Sequence, residues 1–233
     1  MKNRILIFVA TLMLGLVCAA QEREVTKFLG IPVDGTKSEM IQKLKAKGFT
    51  PTESDKDVLE GEFNGHDVRI YTVTNNRKVY RIRLADENKI NETSIKIRFN
   101  NLVSQFEKNR KYRSYGSQRI ADDEDISYEM SVHKKRYEAV FYQNAFDIAP
   151  EDTTAIFEKI YSLQSERFSP AEIANPTPEI KEELSKIERR FWDDYFSVSE
   201  RCVWFMIVEE RYGKYYISMY YDNRYNEANG EDL

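Results

Sequence analysis

The sequence predicts an α+β protein in which antiparallel sheet carries helices on one face. Three observations predict it. Apolar residues recur at helical spacing in separate segments, the spacing switches to strict alternation between those segments, and tight-turn dipeptides stand where strands must reverse. The predicted elements group as residues 21–89, 90–149 and 150–233, which makes two or three helix-plus-hairpin units packed as one domain or two close ones, behind a leader at residues 1–20.

The leader reads as a secretory signal. Lys2 and Arg4 precede an apolar run from Ile5 to Val17, and Cys18-Ala19-Ala20 before Gln21 satisfies the small-x-small rule for cleavage. Acylation of Cys18 is the alternative, and the bulk of Val17 argues against it. The chain is therefore expected to be exported, to the periplasm or the cell surface. Past the leader no apolar run approaches the ~20 residues that span a bilayer.

The first unit is the clearest. Asp34-Gly35 makes a turn, and Thr36 with Glu39 forms a capping box that starts a helix at Lys37. Met40, Ile41 and Leu44 give its apolar stripe, Gly48 ends it, and Phe49 folds back onto the stripe. Beyond Pro51 the period becomes two, with Leu59, Gly61 and Phe63, then Val68, Ile70 and Thr72, then Tyr80, Ile82 and Leu84. Asn64-Gly65 fits a type I′ hairpin turn, and a second turn at Asn75-Asn76 closes a three-stranded meander.

Asn91 caps a second helix carrying Ile95, Phe99, Leu102 and Phe106. The alternation of Ile126, Tyr128, Met130 and Val132, a turn at residues 133–136, and Tyr137, Ala139 and Phe141 predict a second hairpin. A third helix begins near Pro150 with Ile156, Ile160 and Leu163, and prolines 170, 176 and 178 then interrupt the chain. Thr177 caps a fourth helix with Pro178 in its first turn, along which Ile180, Leu184, Ile187, Phe191 and Tyr195 form one stripe. Residues 202–209 and 215–221 form a last hairpin around Gly213. Lys78-Val79-Tyr80, Arg136-Tyr137-Glu138 and Lys214-Tyr215-Tyr216 open three strands alike, as a repeat would or as common hairpin-end chemistry would.

Composition excludes several function classes. The 35 basic residues are outnumbered by 39 acidic ones, for a net charge of −4, and Lys2 and Arg4 leave with the signal, so nucleic acid is not the expected partner. Cys202, the cysteine left after processing, lies in an apolar strand and reads as a small buried hydrophobe. The two histidines, His66 and His133, stand beside turns without a second ligand at metal spacing. No Gly-x-Ser-x-Gly elbow or glycine-rich phosphate loop occurs among the nine glycines. Asp122-Asp123-Glu124-Asp125 and the tail residues Asp222, Asn223, Asn226, Glu227 and Asp232 read as solvated, lacking the spaced ligands of a calcium loop. No cofactor, metal site or catalytic residue is expected.

Gly30-Ile31-Pro32-Val33-Asp34-Gly35-Thr36, a helix ending in Lys45-Ala46-Lys47-Gly48-Phe49, and Leu59-x-Gly61-x-Phe63-x-Gly65 together resemble secreted proteins common in Bacteroidetes-type bacteria. The tandem helix-plus-sheet order is similar to the β-lactamase-inhibitor-protein-like fold, shared with small outer-membrane-assembly lipoproteins. The resemblance implies non-enzymatic binding. It carries over no functional residue, since no inhibitory loop matches, and the helices at residues 150–196 depart from the simple pattern.

Alternation assigns a candidate face. If Val68, Ile70, Tyr80 and Ile82 point into the core, Arg69, Tyr71, Arg81 and Arg83 point out, and so do Tyr142, Tyr216 and Tyr220. Tyrosine and arginine are enriched at interface hot spots, while cross-strand ladders of the same residues also stabilise a wet sheet surface. The expected function is binding a protein or envelope component through this face. The competing classes are an envelope hydrolase with a site assembled from scattered residues, and a structural envelope protein with no discrete ligand.

Overall fold

The computed structural model describes residues 23–230 apart from 212 and 229. The predicted signal segment, Cys18 and Asp232 lie outside the described residues. A two-stranded ribbon opens the fold, β1 (Lys27–Phe28) and β2 (Ile31–Pro32), with Leu29 and Gly30 both at positive φ between them. Helix α1 (Lys37–Ala46) has the predicted box. The Thr36 amide donates to Glu39 Oε2 at 3.0 Å and the Glu39 amide to Thr36 Oγ1 at 3.3 Å. Gly48 at φ 101° turns the chain so that Phe49 lies in the core with Met40, Ile41 and Leu44.

After β3 (Thr50–Pro51) comes the predicted meander, β4 (Val58–Phe63), β5 (His66–Asn75) and β6 (Lys78–Asp86). Asn64 and Gly65 take the positive φ that a type I′ turn needs, and the second turn uses Asn76 and Arg77, one residue later than expected. A bulge corrects one inward residue. Val73 opposes Arg81 and Thr74 opposes Val79, so Tyr80 has no opposite number, stays half-buried, and cedes its core place to Val79.

Helix α2 (Glu92–Lys108) is capped by Asn91, whose Oδ1 accepts from the Ser94 amide at 2.9 Å, and it buries Ile95, Phe99, Leu102, Val103 and Phe106. β7 (Tyr112–Arg113) follows. The predicted second hairpin is absent: its first arm is helix α3 (Ile126–Val132), with Asp125 accepting from the Tyr128 amide. The error has a simple origin, because residues four apart share a face in a helix as well as in a strand. Ile126 and Met130 pack on the core while Tyr128 and Val132 are exposed. β8 (Glu138–Gln143) pairs instead with β7 and β9 (Arg201–Glu209), and β9 forms the predicted last hairpin with β10 (Tyr215–Asn223).

One antiparallel sheet of eight strands results, in the order β3-β4-β5-β6-β10-β9-β8-β7. The order reveals two halves. A helix, a short strand and a three-stranded meander occur as α1, β3, β4–β6, and again as α2, β7, β8–β10, and the halves join where β6 pairs with β10. Between β8 and β9 the second half is interrupted by α4 (Thr153–Ser165), α5 (Pro170–Ala174) and α6 (Pro178–Phe196). These helices bury Ile156, Ile160, Leu163, Ile187 and Phe191 in a small core of their own. α5 was not anticipated, although Ser169 and Glu172 form a capping box at its start.

Both α1 and α2 contribute to the main core over the sheet face that carries Leu59, Ile70, Ile82, Phe141, Phe205 and Ile217. At the seam between the halves, Arg98 of α2 donates from Nε and Nη2 to the two carboxylate oxygens of Asp86 on β6, each at 2.6 Å, and Asp86 Oδ2 accepts the Ile217 amide of β10 at 3.2 Å. Both side chains are buried. Removing one partner of a buried pair strands the other's charge. Arg98→Met is expected to lower the free energy of urea unfolding by about 3–5 kcal/mol, far more than the same substitution at exposed Arg136.

Candidate functional site

Strand alternation, with Ile70, Ile82, Leu84, Phe205, Ile217 and Met219 buried, leaves the residues between them on the face away from α1 and α2. All seven candidates are there. Arg69 is exposed, and Tyr71, Arg81, Arg83, Tyr142, Tyr216 and Tyr220 are half-buried. Register aligns some of them: Tyr71 opposes Arg83, Arg83 opposes Tyr220, and Tyr220 opposes Trp204. Four neighbouring strands thus contribute one row of Tyr71, Arg83, Tyr220 and Trp204. Trp204 was missed, although its place between inward Val203 and Phe205 was readable from the same alternation.

The next row holds the face together. Arg81 donates from Nε and Nη2 to the two oxygens of Asp222, at 2.6 and 2.7 Å, and Trp204 Nε1 donates to Asp222 Oδ2 at 2.8 Å. The Asp222 hydrogen bonds are the main reason the Arg81 pKa is raised. Asp222 therefore belongs to the sheet and not to a solvated tail. Trp204 and Tyr220 stack with centroids 4.0 Å apart and planes at 11°, and the Arg81 guanidinium lies 5.1 Å from the Tyr220 ring and 5.7 Å from the Trp204 ring.

Arg83 differs from its neighbours. Its Nε donates to Ser218 Oγ at 3.0 Å and its guanidinium lies 5.1 Å from the Tyr71 ring centroid, but no carboxylate lies within ion-pair distance among the described residues. Arg69 is paired with Glu87 at 2.7 Å. Tyr216 receives Lys89 at 4.6 Å, and Tyr142 lies outside the row, meeting exposed Tyr115 edge-on at 5.7 Å. The structure thus separates the candidates into a bracing residue, Arg81, a paired one, Arg69, and a row with Arg83 at its middle.

The other polar features have local work. His66 stands exposed at the start of β5, its pKa lowered by desolvation and by Arg98, while His133 ends α3 with Nδ1 2.9 Å from Glu129 Oε2. In the acidic loop, Lys96 Nζ donates to the carbonyls of Asp122 and Glu124, Asp125 caps α3, and Glu124 accepts from Lys135 and Tyr137. No group of histidine, cysteine and acidic side chains suited to a metal occurs among the described residues. Cys202 is buried on β9, and burial pushes its thiol up to about 11.

Comparison with protein-family models, curated proteins and solved structures returns no match for this chain.

Asp222→Ala is expected to cost roughly 3 kcal/mol in chemical unfolding, because it strands Arg81 and the Trp204 N–H together. Arg83→Ala is expected to cost less than about 1 kcal/mol by the same measurement, having no charged partner to leave behind. A chain expressed from Gln21 should show no thiol reaction at neutral pH until denaturant exposes Cys202.

Proposed function

We propose that the chain is an exported, non-enzymatic binding protein that engages a protein of the cell envelope through the Tyr71, Arg83, Tyr220 and Trp204 row. The observation that carries the reading is Arg83, a half-buried guanidinium steadied by Ser218 and Tyr71 and lacking a carboxylate partner among the described residues. A planar donor flanked by large amphipathic rings is the composition found at interface hot spots. Trp204 and Tyr220 lie face to face, each covering one face of the other, and Arg83 between Tyr71 and Tyr220 has no carboxylate partner among the described residues. This geometry favours a protein surface with an acidic group.

Two further features support binding over hydrolysis. The cleft of about 700 Å³ on the helix side includes Glu62 and Asp147 in its lining but neither histidine, and the neighbouring cleft of about 360 Å³ includes His66 but no carboxylate. The resemblance of the sequence to the β-lactamase-inhibitor-protein-like fold implies binding, and a repeated helix-and-meander order is compatible with it. The predicted signal at residues 1–20 supplies the route of export.

Affinity capture from native cell envelopes, read by mass spectrometry, tests the reading. Tyr71→Ala with Arg83→Ala should reduce recovery of the partner about a hundredfold while the melting temperature stays within a few degrees. Arg81 is unsuited to this pair because its loss disturbs the fold. Undiminished recovery by the double variant would refute the assignment.

A further inference from the structure

We infer that the cleft between α2 and the β1–β2 turn binds a single acyl chain ending in an anionic headgroup. The cleft lies across the sheet from the row described above, and the inference is independent of that reading. Its volume of about 700 Å³ falls within the ~300–1,000 Å³ of ligand sites. Phe49 beyond α1, Phe63 of β4, Leu102 and Phe106 of α2, and Met219 of β10 contribute apolar surface to one lining. That apolar patch suits hydrocarbon, while Asn64, Gln105, Asn109 and Gln143 in the same lining offer partners to a polar headgroup.

The charged part of the lining points to the headgroup. Lys27, Lys47 and Lys111 are set against Glu62 and Asp147, a positive balance in a protein whose net charge is −4. Lys111 meets Asp147 at 3.3 Å and Lys27 meets Glu24 at 2.9 Å, both pairs solvent-exposed in part and therefore weak enough for an incoming anion to compete. Lys47 is exposed and has no ion-pair partner among the described residues.

The backbone adds a second argument. Leu29, in the turn between β1 and β2, lines the cleft at φ 51°, a conformation that bulky residues avoid, and it is 41% exposed. Strain of this kind persists at ligand clamps. An apolar side chain held in solvent by a strained turn is suited to close over an acyl chain. Asn64 Nδ2 donates to Gln105 Oε1 at 2.7 Å, joining the β4–β5 turn to α2 between this cleft and its smaller neighbour.

The test is a fluorescence titration of the chain with dansyl-labelled undecanoic acid below its micellar concentration, followed by displacement. Saturable binding is expected, reversed by oleate or by lysophosphatidylglycerol and at least about tenfold less well by neutral monoolein. Displacement by oleate alone assigns a free fatty acid, and displacement by both assigns the shared chemistry of a lipid anion. Lys27→Glu, Lys47→Glu and Lys111→Glu together should weaken the probe by about tenfold or more, with the melting temperature lowered by no more than the few degrees that exposed like-charge contacts with Glu24 and Asp147 cost. Gln105→Trp, at an exposed lining position, should block it. Absence of saturable binding, equal displacement by monoolein, indifference to charge reversal, or binding that survives Gln105→Trp each overturns the inference.

Discussion

The pairing of β6 with β10 is the contact on which the molecule depends. These strands come from different halves of the fold and no hairpin joins them, so side chains must specify their register. Two carboxylates do so from opposite faces of the sheet. On the helix side Asp86 binds the Arg98 fork and the Ile217 amide, and on the other side Asp222 binds the Arg81 fork and the Trp204 indole. A slip of one residue would reverse every side chain of a strand. It would carry each acid away from its guanidinium, so charge and burial enforce the same alignment.

Local chemistry was legible and long-range order was not. The Thr36 and Glu39 box, the Asn91 and Thr177 caps, and the Asn64-Gly65 turn act within a few residues, and each element they bound stands where the sequence places it. The short helix at residues 126–132 was misread because Ile126 and Met130 satisfy either period. The second meander was hidden by the helices between β8 and β9, which put a strand and its partner far apart in sequence. Of the candidate face, alternation revealed Tyr71, Arg83 and Tyr220. It could not show that Arg81 is committed to Asp222, because that contact spans the seam.

β10 shows how closely the two sides of the sheet are related. Met219 and Tyr221 turn toward the cleft between α2 and the β1–β2 turn, while Ser218, Tyr220 and Asp222 hold the opposite surface. Adjacent residues of one strand therefore serve separate surfaces. The strand is hydrogen-bonded on both edges, which limits its freedom to shift and keeps both surfaces in fixed relation.

The last strands in sequence lie in the middle of the sheet, with consequences for how the molecule is made. Chain emerging from the ribosome can assemble β3 to β6 early, but it then presents β6 as a raw edge with nothing to cover its amides and carbonyls. Its neighbour β10 follows every other strand among the described residues. Closure thus waits until β7 to β10 have been made, and β6 stays unpaired on that side while the second half of the fold is synthesised.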